Sequence, residues 1–327
     1  MRKILVTGGA GFIGSAIVAV LNKRGITDIL IVDELGTDEK WKNLRKLSYT
    51  DYVEAEQFYE ELAAGKMEDN VEAVFHMGAC SDTTEKNCSF LVNNNYECTK
   101  LLANRAVENG SRFIYASSAA TYGDGEKGFA DEEEKIGELI PLNMYGYSKQ
   151  MFDIWAKNLG LLDRIVGLKF FNVYGPNEYH KGKMKSFVVK AFEQIIETGG
   201  VKLFKSHKPE YADGAQERDF LYIKDCVDMT MFFLDNPEVN GIYNIGTSAA
   251  RNWNDLVKAT FAAMGKEPKI EYIPMPQELQ GKYQYYTCAD ITKLRNAGYD
   301  KPMTSLEDAI KDYVQNYLQK EEYLGGS

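Results

Sequence analysis

The chain has 327 residues, of which 44% are hydrophobic and 26% are charged, as in an ordinary water-soluble globular protein. Its formal net charge of −10 argues against a general nucleic-acid-binding surface. No apolar run approaches the roughly 20 residues of a membrane span, and the N-terminus lacks a signal-peptide pattern. We therefore expect a cytoplasmic protein with no nucleic-acid or membrane partner. Five cysteines without a C-x-x-C pair and three scattered histidines predict neither disulfides nor a metal site.

A glycine-rich loop follows the first predicted strand, which covers residues 3–6. Apolar residues recur at helical spacing after the loop, so the loop joins a buried strand to a helix. Gly8 permits a tight turn, Gly11 lets the backbone approach a pyrophosphate, and Gly14 lets the helix pack close to the strand. The unpaired N–H groups of the helix start would then face the phosphates. This pattern predicts a dinucleotide-binding site.

A second buried strand is predicted over 28–32 and ends in Asp33. An acidic residue about 20 positions beyond the glycines is placed to accept hydrogen bonds from an adenine ribose. In the polar segment that follows, Lys40 is within reach of a ribose 2′-phosphate. A carboxylate about 4 Å from such a phosphate is repelled by roughly 1–4 kcal/mol, so Asp33 favours NAD whereas Lys40 favours NADP. A helix is predicted next, over 54–64.

Three more buried strands are predicted, over 71–75, 112–116 and 165–170. The small residues at 77–81 allow a nucleotide to approach the backbone after the first of these strands. The second strand delivers Ser118 to the carboxyl edge of the sheet, where open α/β sheets bind ligands. We therefore expect the chemistry to lie near this serine.

Tyr145 and Lys149 are four residues apart and share one face of a predicted helix. A phenol becomes a useful base only if its pKa falls from about 10 toward 7, which requires about 4 kcal/mol of preference for the phenolate. A nearby ammonium, together with the positive charge of an oxidised nicotinamide, is a plausible source of that preference. Ser118 would hydrogen-bond the same substrate oxygen as Tyr145.

These features together resemble the extended short-chain dehydrogenase/reductase family, with its T-G-G-x-G-x-x-G loop at 7–14, its serine at 118 and its Y-x-x-x-K pair at 145–149. The resemblance implies a nicotinamide cofactor and a nucleotide-sugar substrate. We expect an α/β fold with a Rossmann-type, doubly wound parallel sheet in residues 1–170. Residues 171–327 are expected mainly to form a smaller, mixed α/β substrate-binding domain, some segments of which return to the first domain.

Further motifs resemble the nucleotide-sugar epimerases of that family that act on ADP-heptose in lipopolysaccharide core synthesis, and this resemblance covers nearly the whole chain. It implies a bound NADP, with NAD left open, and a homo-oligomer, a pentamer. The additional motifs stand at 78–81, 116–123, 170–176, 180–182, 218–220 and 281–284.

The resemblance also implies which residues form the site. Those expected to be catalytic are Tyr145, Lys149, Ser118 and Lys181. Those expected to bind the cofactor are Gly8, Gly11, Phe12, Ile13, Gly14, Asp33, Glu34, Lys40, Met77, Gly78, Ala79, Cys80, Ser81, Asn94, Lys149, Val173 and Lys181. Those expected to bind the substrate are Ser118, Asn172, Lys183, Lys190, Phe204, Lys205, Ser206, His207, Arg218 and Tyr283.

Lys181 is expected to act as a second proton-transfer group. An epimerase of this kind removes hydride from one face of a carbon and returns it to the other, so the intermediate has to turn over in the site. The substrate oxygen then no longer points at Tyr145, and the resemblance assigns the opposite side to Lys181. The alternative is that Lys181 only neutralises a diphosphate, together with Lys183 and Lys185.

The chemistry of Arg218 by itself supports a role in binding the substrate, because a guanidinium fork matches diphosphate oxygens. Its alternative role is a surface ion pair with Asp219. The chain departs from the family pattern at Lys183, where the better-known members carry a small hydroxyl residue, and at Ala55, where they carry a lysine near the cofactor. The loop over 206–217 is also long.

Two other functions stay open on the sequence. A UDP-sugar 4-epimerase uses the same serine, tyrosine and lysine as the reaction expected here. A non-catalytic nucleotide binder of the same fold has no need to place these residues together, which makes it the weaker alternative. A 4,6-dehydratase is disfavoured, since such enzymes carry an Asp-Glu pair directly after the serine, where this chain has Ala119 and Ala120.

Overall fold

A seven-stranded parallel sheet lies at the centre of the molecule, whose computed structural model describes residues 3–66, 70–277 and 283–325. The strands are β1 (Lys3–Thr7), β2 (Ile29–Asp33), β3 (Asp51–Glu54), β4 (Val71–His76), β5 (Arg112–Ser118), β6 (Ile165–Phe170), β7 (Asn172–Tyr174), β8 (Val201–Phe204), β9 (Glu217–Arg218), β10 (Phe220–Tyr222), β11 (Gly241–Ile245), β12 (Arg251–Asn252) and β13 (Ile270–Ile273). The helices are α1 (Phe12–Lys23), α2 (Ala55–Ala63), α3 (Cys88–Leu91), α4 (Cys98–Glu108), α5 (Met144–Asn158), α6 (Phe187–Thr198), α7 (Ile223–Asp235), α8 (Trp253–Ala263), α9 (Thr292–Asn296) and α10 (Leu306–Asn316).

The central sheet has the strand order β11-β6-β5-β4-β1-β2-β3, and each of its pairings is parallel. All residues of β2 and β6 are buried. Such fully buried and mostly apolar strands are stable in a parallel sheet because helices cover both of its faces. The predicted α/β fold with a Rossmann-type, doubly wound sheet is confirmed.

The five strands predicted from the sequence are all present, and their ends differ from the prediction by no more than two residues. The sequence did not predict β3, an edge strand without a fully buried residue and hence without an apolar run. It also did not predict that β11 pairs with β6, which brings a segment of the C-terminal half into the first sheet. The division into two domains near residue 170 stays a prediction.

The strand order reverses next to β1, which has β2 on one side and β4 on the other. In open α/β sheets, ligands bind at the carboxyl ends of the strands beside such a reversal, where the connecting helices diverge to opposite faces. The loops after β1, β4, β5 and β6 meet there. Three two-stranded sheets of the C-terminal half, β7 with β10, β8 with β13 and β9 with β12, lie outside the central sheet.

Helix α5 carries the predicted reactive pair and is capped at its start. The Oδ1 atom of Asn143 accepts a hydrogen bond from the Gly146 amide at 2.8 Å, which satisfies an N–H group that has no partner within the helix. The cap places Tyr145 in the first turn and Lys149 in the second. Across the described residues, no helix is both long and apolar enough to cross a membrane.

Replacing Gly14 with alanine is expected to destabilise the protein. A Cβ atom at this position would lie 2.1 Å from the carbonyl oxygen of Gly8, so helix α1 or the loop would have to move. We expect Gly14→Ala to lower the free energy of unfolding by about 1–3 kcal/mol, the usual cost of overpacking. Chemical denaturation measures the change.

Gly137→Ala is the matched control, because a Cβ atom on Gly137 would meet no atom within 4 Å. Its free energy of unfolding should stay within about 0.5 kcal/mol of the wild-type value. Equal stabilities of the two variants would contradict the close packing proposed for α1.

Candidate active site

A cavity of about 730 Å³ opens at the carboxyl edge of the central sheet and extends to the start of α6 and α8. It brings together residues from both halves of the chain. The predicted site residues that line it are Gly8, Gly11, Phe12, Ile13, Gly14, Asp33, Lys40, Met77, Gly78, Ala79, Cys80, Ser81, Ser118, Tyr145, Lys149, Asn172, Val173, Lys181 and Lys190.

The glycine loop has the shape that the sequence predicts. Gly8 has φ +66°, and a Cβ atom there would lie 2.6 Å from the amide nitrogen of Gly78, so the loops after β1 and β4 touch. Helix α1 begins at Phe12, and no side chain caps it. Its first N–H groups have no partner within the helix and lie at the cavity wall. This end of the cavity therefore fits a pyrophosphate group.

Asp33 holds the glycine loop, a role that the sequence did not reveal. Its Oδ2 atom accepts hydrogen bonds from the amides of Ala10 at 2.8 Å and Gly11 at 3.1 Å. Its Oδ1 atom accepts from the Glu34 amide at 2.7 Å and from Lys40 Nζ at 3.1 Å. An ionised carboxylate has about four acceptor positions. Donors of the protein itself therefore occupy the positions at which the sequence predicted hydrogen bonds from a ribose.

Asn95 is a second residue that the sequence did not single out. Its Oδ1 atom accepts from the Cys80 amide at 2.9 Å, and its Nδ2 atom donates to the Cys80 carbonyl at 2.9 Å and to Ser148 Oγ at 3.0 Å. Asn95 thus ties the cavity wall at Cys80 to helix α5. The predicted cofactor residue Asn94 lies outside the cavity lining and donates to Asn95 at 3.0 Å.

The inward turn of Asn95 comes from a local irregularity. The chain between α3 and α4 forms a π-helical segment, Val92–Glu97, with a wider turn than an α-helix. The 3.6-residue period of an α-helix does not predict which residues of such a segment face inward. The sequence contains no simple signal that separates Asn94 from Asn95 here.

Ser118, Tyr145 and Lys149 meet at the centre of the cavity. The Tyr145 hydroxyl hydrogen-bonds Ser118, but burial outweighs this contact and raises the pKa of Tyr145. Burial also lowers the pKa of Lys149 to about 8, although Asp153 and Cys80 act in the opposite direction. We expected Lys149 to lower the pKa of Tyr145. In the protein without cofactor the pKa of Tyr145 is instead raised, because loss of water around the phenol has the larger effect.

Lys181 reaches the cavity from a different element. It lies in the 3₁₀-helical segment Tyr179–Met184, and its Nζ atom is 5.2 Å from the centroid of the Phe12 ring. Burial lowers the pKa of Lys181, while the nearby carboxylate of Glu178 opposes that shift. Tyr145 on α5 and Lys181 beside the start of α1 therefore line the same cavity from different elements of the fold.

Glu178 closes the loop that carries Lys181, and the sequence did not identify it. Its fully buried carboxylate accepts hydrogen bonds from the Gly175 amide at 3.1 Å, from Ser186 Oγ at 2.7 Å and from Tyr313 Oη at 3.2 Å. The two ends of the 175–186 loop are thereby joined to each other and to helix α10.

The C-terminal segment forms hydrogen bonds to the same 175–186 loop. The Tyr179 hydroxyl donates to the Glu322 carbonyl at 2.9 Å, and the Leu324 amide donates to Asn177 Oδ1 at 2.8 Å. Asn177 in turn donates from Nδ2 to Ser15 Oγ on α1 at 2.9 Å. The loop that holds Lys181 is thus attached both to the nucleotide end of the cavity and to the last described residues.

Arg218 is buried and stacked, and it forms no ion pair with an acid of the described residues. Its guanidinium lies 5.8 Å from the Trp253 ring centroid and 5.2 Å from that of Tyr283. Asp219 instead accepts from the amides of Thr247 at 2.7 Å and Ala289 at 2.9 Å. The alternative of an Arg218–Asp219 ion pair is therefore wrong. Trp253 lines the cavity, so Arg218 supports this wall.

Several predicted residues lie outside the cavity lining. Lys183 has an exposed side chain, and its carbonyl accepts a hydrogen bond from Lys190 Nζ at 2.7 Å. His207 lies beside Tyr285, with 2.7 Å between Nδ1 and Oη. The predicted site residues that do not line the cavity are Glu34, Asn94, Lys183, Phe204, Lys205, Ser206, His207, Arg218 and Tyr283.

Comparison with known proteins adds the evolutionary relationship. The chain is 56% identical over 314 residues to a protein of Nitratidesulfovibrio vulgaris named ADP-L-glycero-D-manno-heptose-6-epimerase, a match that covers 96% of this chain and 97% of the relative. The crystal structure of the Helicobacter pylori ADP-L-glycero-D-manno-heptose-6-epimerase is similar with a TM-score of 0.82 and 29% identity, over 96% of both chains.

A more distant likeness is to the UDP-glucose 4-epimerase of Thermus thermophilus, whose structure contains NAD. The TM-score is 0.73 and the identity 25%, over 95% of this chain and 97% of the other. Residues 4–246 match the family model of the NAD-dependent epimerases and dehydratases. This chain therefore belongs to the NAD-dependent epimerase/dehydratase family.

Proposed function

We propose that this protein is a 6-epimerase that interconverts ADP-D-glycero-D-manno-heptose and ADP-L-glycero-D-manno-heptose in lipopolysaccharide core synthesis, with NADP as its bound cofactor. The observation that carries the proposal is that Tyr145 and Lys181, two side chains whose chemistry allows proton transfer, line one cavity from separate elements. The high identity to a named heptose 6-epimerase supports the choice of sugar. We also expect a cytoplasmic homo-oligomer, a pentamer.

The first half of the reaction uses Ser118, Tyr145 and Lys149. Ser118 hydrogen-bonds the substrate oxygen at C6, and the Tyr145 oxygen accepts the hydroxyl proton. Lys149, one helical turn away, favours the phenolate through its positive charge. A nicotinamide cofactor bound along the glycine loop would supply the acceptor and donor of the C6 hydride.

The second half requires a proton donor at the other side of the cavity. After the ketone has turned over, its oxygen faces Lys181, whose ammonium donates a proton as hydride returns to the opposite face of C6. Burial lowers the pKa of Lys181, which eases this proton transfer. Lys181 regains its proton, and Tyr145 loses its own, by exchange with solvent.

The cofactor proposal rests on the contacts of Asp33 and Lys40. The protein supplies four hydrogen bonds to the Asp33 carboxylate, which leaves little capacity for the ribose hydroxyls of NAD. Lys40 neutralises this carboxylate through an ion pair at 3.1 Å and is partly exposed at the cavity wall. Both features favour a ribose that carries a 2′-phosphate, although Ala55 removes the lysine that related proteins carry nearby.

A UDP-sugar 4-epimerase is the second candidate, because it would use the same Ser118, Tyr145 and Lys149. The structural likeness to a UDP-glucose 4-epimerase favours it at the level of the fold. A product assay separates the two functions: the heptose pair should be interconverted, and UDP-galactose should be left unchanged. Turnover of UDP-galactose alone would overturn the proposed substrate.

Tyr145→Phe and Lys181→Met are each expected to abolish epimerisation, because each removes one of the two proton-transfer groups. We expect at least a 100-fold loss of kcat, the low end of the contribution of general acid–base catalysis, measured by NMR of the two heptose epimers. The controls are Tyr147→Phe, whose side chain is exposed, and Lys202→Met on strand β8. Near-normal turnover of either active-site variant would remove that residue from the mechanism.

Direct hydride return is expected to leave the C6 carbon free of solvent hydrogen. The reaction is run in D₂O, and the product is analysed by NMR for deuterium at C6. Our mechanism predicts none, since the hydride stays on the cofactor throughout. Deuterium on the inverted carbon would show exchange with water and contradict it.

Lys40→Met is expected to weaken NADP binding about tenfold, the effect of losing a charge-assisted contact to phosphate. NAD binding should change by less than twofold. Lys42→Met carries the same charge change two residues away, where Lys42 pairs with Glu39, and should alter neither affinity. Isothermal titration with the cofactor-free protein measures both values, and a preference of the wild type for NAD would overturn the NADP proposal.

Lys149→Met is expected to stabilise the cofactor-free protein. The pKa of Lys149 is about 8 in the folded chain and about 10.5 when unfolded, so the folded state carries a charge penalty of about 3 kcal/mol below pH 8. Between pH 8 and 10.5 the unfolded chain binds more protons, and the wild type regains this stability. The advantage of the variant should therefore be largest at pH 7 and shrink toward pH 10.5 in denaturation curves.

The exposed Lys258 on α8 provides the matched control. Lys258→Met should show no stabilisation at pH 7 and no pH trend of this kind. A Lys149→Met variant that is less stable than the wild type at pH 7 would contradict the charge penalty.

A further inference from the structure

A buried ion pair lies directly behind the three reactive residues, and the mechanism above does not use it. Lys169 Nζ on β6 and Asp153 Oδ2 on α5 are 2.7 Å apart, and their side chains are 1% and 0% exposed. A charge pair removed from water in this way is costly unless further hydrogen bonds satisfy it. Its partners therefore indicate what the pair does.

Asp153 connects helix α5 to strand β5. Its Oδ1 atom accepts from the Tyr115 hydroxyl at 2.9 Å, and its Oδ2 atom accepts from Ser117 Oγ at 2.8 Å as well as from Lys169. Both hydroxyl donors are on the strand that ends in Ser118. The carboxylate thus joins the strand of the reactive serine to the helix of the reactive tyrosine.

Lys169 reaches the reactive serine by a second route. Its Nζ atom donates to Thr121 Oγ1 at 2.7 Å, and the Thr121 hydroxyl donates to the carbonyl oxygen of Ser118 at 2.8 Å. Lys169 therefore contacts both Asp153 and the turn just after Ser118. Through these two contacts, the ion pair sets the distance between the end of β5 and helix α5.

Asp153 also continues the reactive face of α5. Tyr145, Lys149 and Asp153 are spaced by four residues each, so their side chains lie one above the other on the helix. A carboxylate one turn beyond Lys149 favours its charged form.

We propose that Asp153, through its buried ion pair with Lys169, is a positioning residue that holds Ser118 in register with Tyr145 and Lys149 and keeps Lys149 protonated. This inference rests on the proposed epimerase function, since it assigns a task in the same reaction. Removal of the carboxylate should displace Ser118 from Tyr145 and discharge Lys149 at lower pH.

The other groups around Lys149 do not take over this task. Tyr145 is neutral near pH 7 because burial raises its pKa, and His76 on β4 is held neutral because burial lowers its pKa to about 3. Lys169 has the same charge as Lys149 and disfavours its protonation. Asp153 and Cys80 raise the pKa of Lys149 against the effect of burial, and Asp153 has the larger effect of the two.

The kinetic test compares cofactor-loaded Asp153→Asn with the wild type. We expect kcat for heptose interconversion to fall at least tenfold at pH 8, with KM within twofold, and the alkaline limb of the pH profile to move to lower pH. Asp131→Asn is the matched control, because Asp131 is another buried carboxylate, but it accepts from the Asn244 amide on β11 at 2.8 Å. This control should retain the wild-type kcat and pH profile.

The double variant Asp153→Asn/Lys169→Met distinguishes a loss of kcat caused by mispositioned residues from one caused by a destabilised fold. Loss of one partner leaves an unpaired buried charge, whereas removal of both charges is often tolerated. We expect the double variant to fold with a denaturation midpoint near that of the wild type and yet to keep the loss of kcat. A double variant with both wild-type stability and wild-type kcat would overturn the proposal.

Thr121→Val provides an independent variant if Asp153→Asn does not fold. Valine keeps the shape of threonine but removes the hydroxyl between Lys169 and Ser118. We expect at least a fivefold fall in kcat without movement of the alkaline limb, because the charges near Lys149 are unchanged. Wild-type kcat in this variant would overturn the positioning of Ser118.

A substrate-free measurement keeps this inference separate from the proposed function. The pKa of Lys149 is read by NMR from the ¹³Cε signal that disappears in Lys149→Met, in the cofactor-loaded protein. We expect Asp153→Asn to show a lower Lys149 pKa than the wild type, and an unchanged value would overturn the proposal. Failure of the wild type to convert ADP-heptose would overturn the proposed function alone.

Discussion

The close packing of the first turn of α1 on the loop after β1 sets the geometry of the whole cavity. A side chain at Gly14 would collide with the backbone of Gly8, so helix and loop touch directly. The adjoining Ala10 presents its amide to Asp33 at 2.8 Å and its carbonyl to Asn43 Nδ2, also at 2.8 Å. Asn43 in addition donates to the Asn177 carbonyl at 3.1 Å. The segments after β2 and β7 thus take their positions from the start of one helix.

The groups that we propose to be reactive are held around this frame in states that cost stability. Lys149 and Lys181 are charged side chains with little access to water, and Tyr145 is a buried phenol. Each is displaced from its ordinary pKa by the same cause, the removal of solvent. Active sites commonly carry such unfavourable arrangements because function requires them. Here the compensating contacts come from Asp153 behind Lys149 and from Glu178 beside Lys181.

The parts of the fold that could be predicted are those with a local signature. The apolar runs of β2 and β6 and the glycine loop indicate their own structure, and the Tyr145–Lys149 spacing is visible in the sequence. The parts that could not be predicted depend on distant partners. Asn95 faces inward because of a π-helical turn, and Glu178 is buried by residues far along the chain. Arg218 stacks on Trp253 and Tyr283, which are distant in the chain, and its contact with substrate stays a prediction.

The attachment of the 175–186 loop to Glu322 and Leu324 has a consequence for biosynthesis. A ribosome makes Lys181 long before it makes the residues that hold its loop. The sheet and the glycine loop are then free to form early, whereas the 175–186 loop is fixed only after residues 322–324 have been synthesised.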